Sequence, residues 1–188
     1  IMVAIGLADV AAATTTTTSV GGGGSTWIAP SVSQCLPDAM AVRQLVGVAN
    51  GVSAVVAADL DDDGDHDLVV AVRVADSVWW YENVDGNGTY GPARVVCAVC
   101  DGAEGVAVGD FDDDGDIDVA SASSSDNRIR WHRNNDGLGG SWTPFLLMSG
   151  ASGVRSVVAG DVNSDGLTDL VSATRNSGSL VWLRNNGG

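Results

Sequence analysis

One acidic turn recurs three times at a fixed interval, and no other feature restricts this chain so tightly. Asp59, Asp61, Asp63 and Asp67 return as Asp110, Asp112, Asp114 and Asp118, then as Asp161, Asn163, Asp165 and Asp169. The interval is 51 residues each time (59 to 110, 110 to 161), and glycine holds the sixth position in every copy, at Gly64, Gly115 and Gly166. A single copy would be a motif. Three copies in register make an array of one supersecondary unit.

The turn reads D-x-[DN]-x-D-G-x-x-D. Side-chain oxygens at positions 1, 3 and 5 converge on the concave side of a tight reversal, which the glycine permits. Position 7 is expected to offer its backbone carbonyl, from Asp65, Asp116 and Leu167; a leucine there fits a main-chain ligand. Position 9 closes the turn with Asp67, Asp118 or Asp169. Hard oxygens in a flexible loop suit Ca²⁺ better than Mg²⁺, and no His or Cys stands at a ligand position, which argues against Zn²⁺. Three Ca²⁺ sites are therefore expected. Solvated turns are the plainer reading, but carboxylates this crowded repel one another unless a cation lies among them. An EF-hand is excluded. Its twelfth position needs a bidentate Glu, and Val70, Ser121 and Ser172 stand there, flanked by short β-branched runs rather than helices.

More than the turn repeats. Trp80, Trp131 and Trp182 keep the same spacing, as do Asn83, Asn134 and Asn185. The best copy predicts strands at Val106–Gly109, Asp118–Ser123, Arg128–Arg133 and Trp142–Met148. In the third of these, Ile129 and Trp131 alternate with Arg128, Arg130 and His132, the pattern of a half-buried strand. The expected fold is all-β: β-propeller blades of about 51 residues, three clear and one degenerate at the amino terminus. The repeats span 3–54 (degenerate), 55–105, 106–156 and 157–188, within one domain over 1–188. In the degenerate copy Leu7-Ala8-Asp9 replaces the aspartate cluster, Trp27 stands two residues off the place expected from Trp80, and Arg43 precedes Arg94 by 51. The last copy lacks an outer strand. Either the chain is part of a longer propeller, or another chain completes it. The recurring Trp is expected to be buried between blades.

At Val55–Val70, Val106–Val119, Trp80-Tyr-Glu-Asn83 and Trp131-His-Arg-Asn134, the chain resembles the FG-GAP and VCBS repeats. These are the calcium-loop propeller blades of integrin alpha-subunit heads and many surface proteins. The resemblance implies an extracellular, calcium-stabilised propeller used in adhesion or as a scaffold, seldom as a catalyst.

Composition agrees. Net charge is -15, and three dications would bring it to about -9. The nine basic residues are all Arg and form no patch, so nucleic-acid binding is not expected. Ile1–Ile5 is too short for a membrane span and lacks the basic flank of a signal peptide. A chain beginning at Ile1 is expected to be a processed or partial product. Thr14, Thr15, Thr16, Thr17 and Thr18 precede Gly21–Gly24 and read as a flexible linker or an O-glycosylated stretch. Asn87-Gly88-Thr89 is an acceptor for an N-linked glycan. Of Cys35, Cys97 and Cys100, two are expected to pair in an oxidising compartment; Cys97 with Cys100, or Cys35 with either, are all open. His66 and His132 both read as exposed. No nucleophile elbow, phosphate loop or acid pair stands outside the acidic turns, so no catalytic residue is expected.

The functional expectation is an extracellular structural or adhesion module bearing Ca²⁺, either by itself or as a subunit of a filament or surface assembly with head-to-tail contacts. The alternative is a ligand-binding propeller domain of a larger receptor or secreted protein.

Overall fold

The structure, a computed structural model, describes residues 50–187. The degenerate repeat up to Ala49, with Trp27, Arg43, Cys35 and Thr14–Thr18, lies outside the described residues. The described residues build three consecutive antiparallel sheets. The first blade is β1 (Val52–Ala58), β2 (Asp67–Val72), β3 (Ser77–Tyr81) and β4 (Arg94–Cys97). The second is β5 (Ala103–Gly109), β6 (Asp118–Ser123), β7 (Arg128–Asn134) and β8 (Trp142–Ser149). The third is β9 (Val154–Gly160), β10 (Asp169–Thr174) and β11 (Ser179–Leu183). Each strand pairs with its sequence neighbour, so every blade is a simple meander. β1 starts at Val52, three residues before the start read from the repeat, because an apolar run alone does not show where pairing begins.

The repeat is kept in three dimensions. Trp80 pairs across from Val69, Trp131 from Ala120 and Trp182 from Val171, the same place in each sheet. All described residues fall in one compact unit, Arg43–Gly188. The first strands of successive blades, β1, β5 and β9, contact one another. There Glu104 of the second blade pairs with Arg73 of the first at 3.1 Å and Arg155 of the third at 3.5 Å.

The trailing face of the first blade meets the leading face of the second, and the trailing face of the second meets the leading face of the third. Between the first two blades, Leu60, Val69, Ala71, Val78 and Trp80 pack on Val106 and Val119. Between the second and third, Phe111, Ala120, Ala122 and Ile129 pack on Val157 and Leu170.

Two expectations need correction. Arg130 and His132 were assigned to an exposed face of β7, yet both are buried, His132 almost completely. The alternation of side chains is as read; what differs is that neighbouring blades cover both faces of the second sheet. The three tryptophans are also not equally buried. Trp80 is fully enclosed, Trp131 is half-buried and Trp182 is exposed, because burial depends on what covers the trailing face.

Candidate metal centre

Each acidic turn joins the first two strands of its blade. Its backbone follows from residue type. The fourth position takes a left-handed conformation at Asp62 (φ 57°), Asp113 (φ 62°) and Ser164 (φ 62°), and the sixth at Gly64 (φ 94°), Gly115 (φ 95°) and Gly166 (φ 90°). A Cβ at any of these three glycines would meet nothing within 4 Å, so glycine is needed for its dihedral freedom and not for space.

The first aspartate organises the turn. Asp59 accepts the N–H groups of Asp63 (3.2 Å) and Gly64 (3.0 Å); Asp110 does so for Asp114 and Gly115, and Asp161 for Asp165 and Gly166. One carboxylate oxygen each from Asp59, Asp61 and Asp63 lies within 4.8 Å of the others, as does one each from Asp110, Asp112 and Asp114. In the third turn Asn163 bonds Asp165 at 2.7 Å.

The ninth-position aspartates are buried and hold the turn to the blade. Asp67 accepts the N–H of Leu60 at 3.2 Å and that of Asn83 at 2.8 Å. Asp118 does the same for Phe111 and Asn134, and also accepts the Trp131 indole N–H at 2.9 Å. Asp169 repeats it with Val162 and Asn185. Burial pushes Asp67 up to about 6 against the backbone donors that lower it, and Asp118 likewise to about 6.

Do these residues fit a cation? Asp61 Oδ1, Asp65 Oδ1 and Asp112 Oδ1 are closed off from solvent and have no hydrogen-bond partner. Burial, then the neighbouring carboxylates of Asp63, Glu82, Asp59 and Asp65, raise the Asp61 carboxyl above its usual range. Burial and Asp114 raise Asp112. Orphaned acceptors among like charges are what a hard dication relieves, so the donor set fits Ca²⁺. Asp116 and Leu167, like Asp65, stand at the seventh position of the turn.

One set of residues escaped the sequence reading. Position 82 of the first repeat corresponds to 133 and 184, a spacing plain in the sequence. Arg133 binds Asp112 and Asp114, both at 2.9 Å, and Arg184 binds Asp165 at 3.2 Å. The first turn has Glu82 at this place. The second and third turns thus carry a guanidinium that partly neutralises them, whereas in the first the equivalent residue is a carboxylate paired with Arg94, and no guanidinium among the described residues is seen on the ligand aspartates. The recurring asparagines also acquire a role. Asn134 donates its amide to the Leu60 carbonyl of the preceding blade at 3.0 Å, and Asn185 to that of Phe111 at 2.8 Å. They stitch each blade to the acidic turn before it.

Of the remaining candidates, Asn87 is exposed in the turn after β3, and His66 is exposed in the first acidic turn. Cys97 is bonded to Cys100, with Cα atoms 5.9 Å apart, which resolves the pairing left open by the sequence. Among the described residues, no helix is long and apolar enough to cross a membrane.

Successive meanders of four, four and three strands, each with an acidic turn between its first two strands and packed face to face, define an array of β-propeller blades. The chain belongs to the FG-GAP-like repeat family, whose model matches residues 59–121 and 110–172, together more than half of the sequence. This family is one of structural and binding modules, not typically of enzymes. No curated protein matches the chain in sequence.

Proposed function

We propose that this protein is a calcium-stabilised structural module of an extracellular assembly, joined to its neighbour through the trailing face of the third blade. That face is the observation that carries the reading. Val158, Val162, Leu180 and Trp182 are 56%, 52%, 80% and 48% exposed. Their counterparts one repeat earlier are Ala107, Phe111, Ile129 and Trp131, of which the first three are buried; two repeats earlier, Leu60, Val78 and Trp80 are buried. The same surface is a blade interface twice and open once. An apolar face of this kind, beside the edge strand β11, favours association. Its natural cover is another blade of the same repeat, with an asparagine amide facing the Val162 carbonyl as Asn134 faces Leu60. A contact that does not close by rotation would give a filament.

Calcium stiffens the unit by linking the oxygens of each acidic turn between two strands. Glycans at Asn87, or on Thr14–Thr18, would suit an extracellular surface. Leu180→Asp tests the assembly. The side chain is exposed, so folding should persist, and sedimentation velocity in millimolar Ca²⁺ should show loss of the associated species formed by the wild-type chain. A wild-type chain that stays monomeric at tens of micromolar, or a variant that associates as before, would reject this interface.

A further inference from the structure

The joint between the first two blades holds a polar cluster that the repeat does not require. Cys97 ends β4, Cys100 lies in the turn before β5, Ser121 is on β6 and His132 on β7; all four are buried. Cys100 Sγ is 3.7 Å from His132 Nε2 and 3.4 Å from Ser121 Oγ, and Ser121 Oγ is 2.9 Å from the same ring nitrogen. At the next joint the equivalent positions are Met148, Ala151, Ser172 and Leu183. There Ala151, Met148 and Leu183 belong to an apolar cluster. The fold therefore closes the equivalent joint without a thiol or an imidazole, and their presence at one joint only calls for a separate reason.

We infer that, when the Cys97–Cys100 bond is reduced, this buried cluster binds one Zn²⁺ through the two sulfurs and His132 Nε2, with the Ser121 hydroxyl or a water as the fourth ligand. Suitable atoms of Cys97, Cys100 and His132 already lie within 4.8 Å of one another. Tetrahedral zinc with ordinary Zn–S and Zn–N bonds sets a sulfur-to-nitrogen separation of about 3.6 Å, close to that seen between Cys100 and His132. The two sulfurs must part to about 3.8 Å, which opening the bond allows. The chemistry balances. A dithiol reductant supplies two electrons and two protons to the sulfur–sulfur bond and itself becomes a disulfide. Zn²⁺ then displaces both thiol protons to solvent. Two thiolates and a dication leave the cluster with no net charge, which suits complete burial. Burial also keeps the imidazole neutral, its pKa pushed down to about 4. His132 Nδ1 has no partner, so metal at Nε2 leaves an unpaired N–H. The affinity should therefore fall below that of a closed structural zinc centre. The disulfide and the zinc site are alternative states of one cluster.

The test uses the full chain folded in a phosphine reductant with millimolar Ca²⁺ to fill the acidic turns, titrated with Co²⁺ as the probe. A thiolate-to-cobalt charge-transfer band saturating at one ion per chain is expected, with loss of the band on adding Zn²⁺. Carboxylate turns cannot produce that band, so this outcome is independent of the calcium proposal. His132→Gln should abolish tetrahedral binding and Cys35→Ser should leave it intact. Should His132→Gln not fold, alkylation of the reduced wild-type chain decides, since Zn²⁺ should protect Cys97 and Cys100 but not Cys35. Absence of the band in folded, reduced protein, its persistence in folded His132→Gln, its loss in Cys35→Ser, or alkylation of Cys97 and Cys100 unchanged by Zn²⁺ would overturn the inference.

Discussion

Single charges set the differences among three turns of nearly the same sequence. Glu82, Arg133 and Arg184 occupy one repeat position, and only the latter two place a guanidinium on the ligand carboxylates. Calcium affinity should therefore be highest at the first turn. It should be lowest at the third, where Asn163 also replaces a charged oxygen, with values of roughly 10⁻⁵ to 10⁻³ M. Arg133→Gln should strengthen the second site by roughly two- to fivefold, read by calorimetry. An unchanged isotherm would mean that Arg133 does not compete with the cation. His132 offers a second residue-scale test. Burial and then Arg130 hold its pKa at about 4, below the ordinary 6.5. The unfolded chain thus binds more protons between these values, so this residue's contribution is complete above pH 6.5 and is lost as pH falls toward 4. The loss is on the order of 3 kcal/mol. Asp67 and Asp118, raised to about 6 by burial, act in the opposite sense over the same window, so the test is a difference: relative to His132→Gln, the denaturant midpoint of the disulfide form should fall as pH goes from 6.5 toward 4.

At the scale of the element, the link between turn and strand is the buried aspartate at the ninth position. Asp118 accepts three donors, from Phe111, Asn134 and Trp131. Asp118→Ala leaves all three unpaired in a closed environment and should cost on the order of 3–5 kcal/mol. Equal stability of variant and wild type in urea would show that the turn relaxes to satisfy them. The tryptophans test how blades bury strands. Trp80→Ala empties a fully enclosed site and should cost on the order of 3–5 kcal/mol, whereas Trp182→Ala should change stability by under about 1 kcal/mol. Acrylamide should quench Trp182 strongly and Trp80 hardly at all; the reverse order would contradict the packing described.

For the whole molecule, the proposed calcium sites in three turns along one array would tie local binding to global stability. Excess chelator should lower the melting temperature markedly, since the carboxylates then repel without compensation. A melting curve indifferent to chelator would separate the turns from the stability of the fold. Association through the third blade should follow the same dependence, because Val158 and Val162 of the exposed face lie just before and within the third acidic turn, whose carboxylates the proposed cation would draw together.

The period, the turn chemistry and the strand order are all legible along the chain. These depend on residues near one another in the chain: glycine where φ must be positive, aspartates at alternate positions, and β-branched runs on either side. They therefore also fix the all-β class and the family. Tertiary structure decided what faces what. β7 alone reads as a half-buried strand, and only the first blade lying against it shows that Arg130 and His132 are enclosed. Three tryptophans with one spacing differ in burial because the third blade's trailing face is open. Ser121 and His132 share one face of the second sheet, but their meeting with Cys100 could not be read along the chain, since it forms only where that face packs on the first blade. Glu82, Arg133 and Arg184 fall between the two cases: their spacing is visible in the sequence, but only the fold shows that side chains at this position reach the turns.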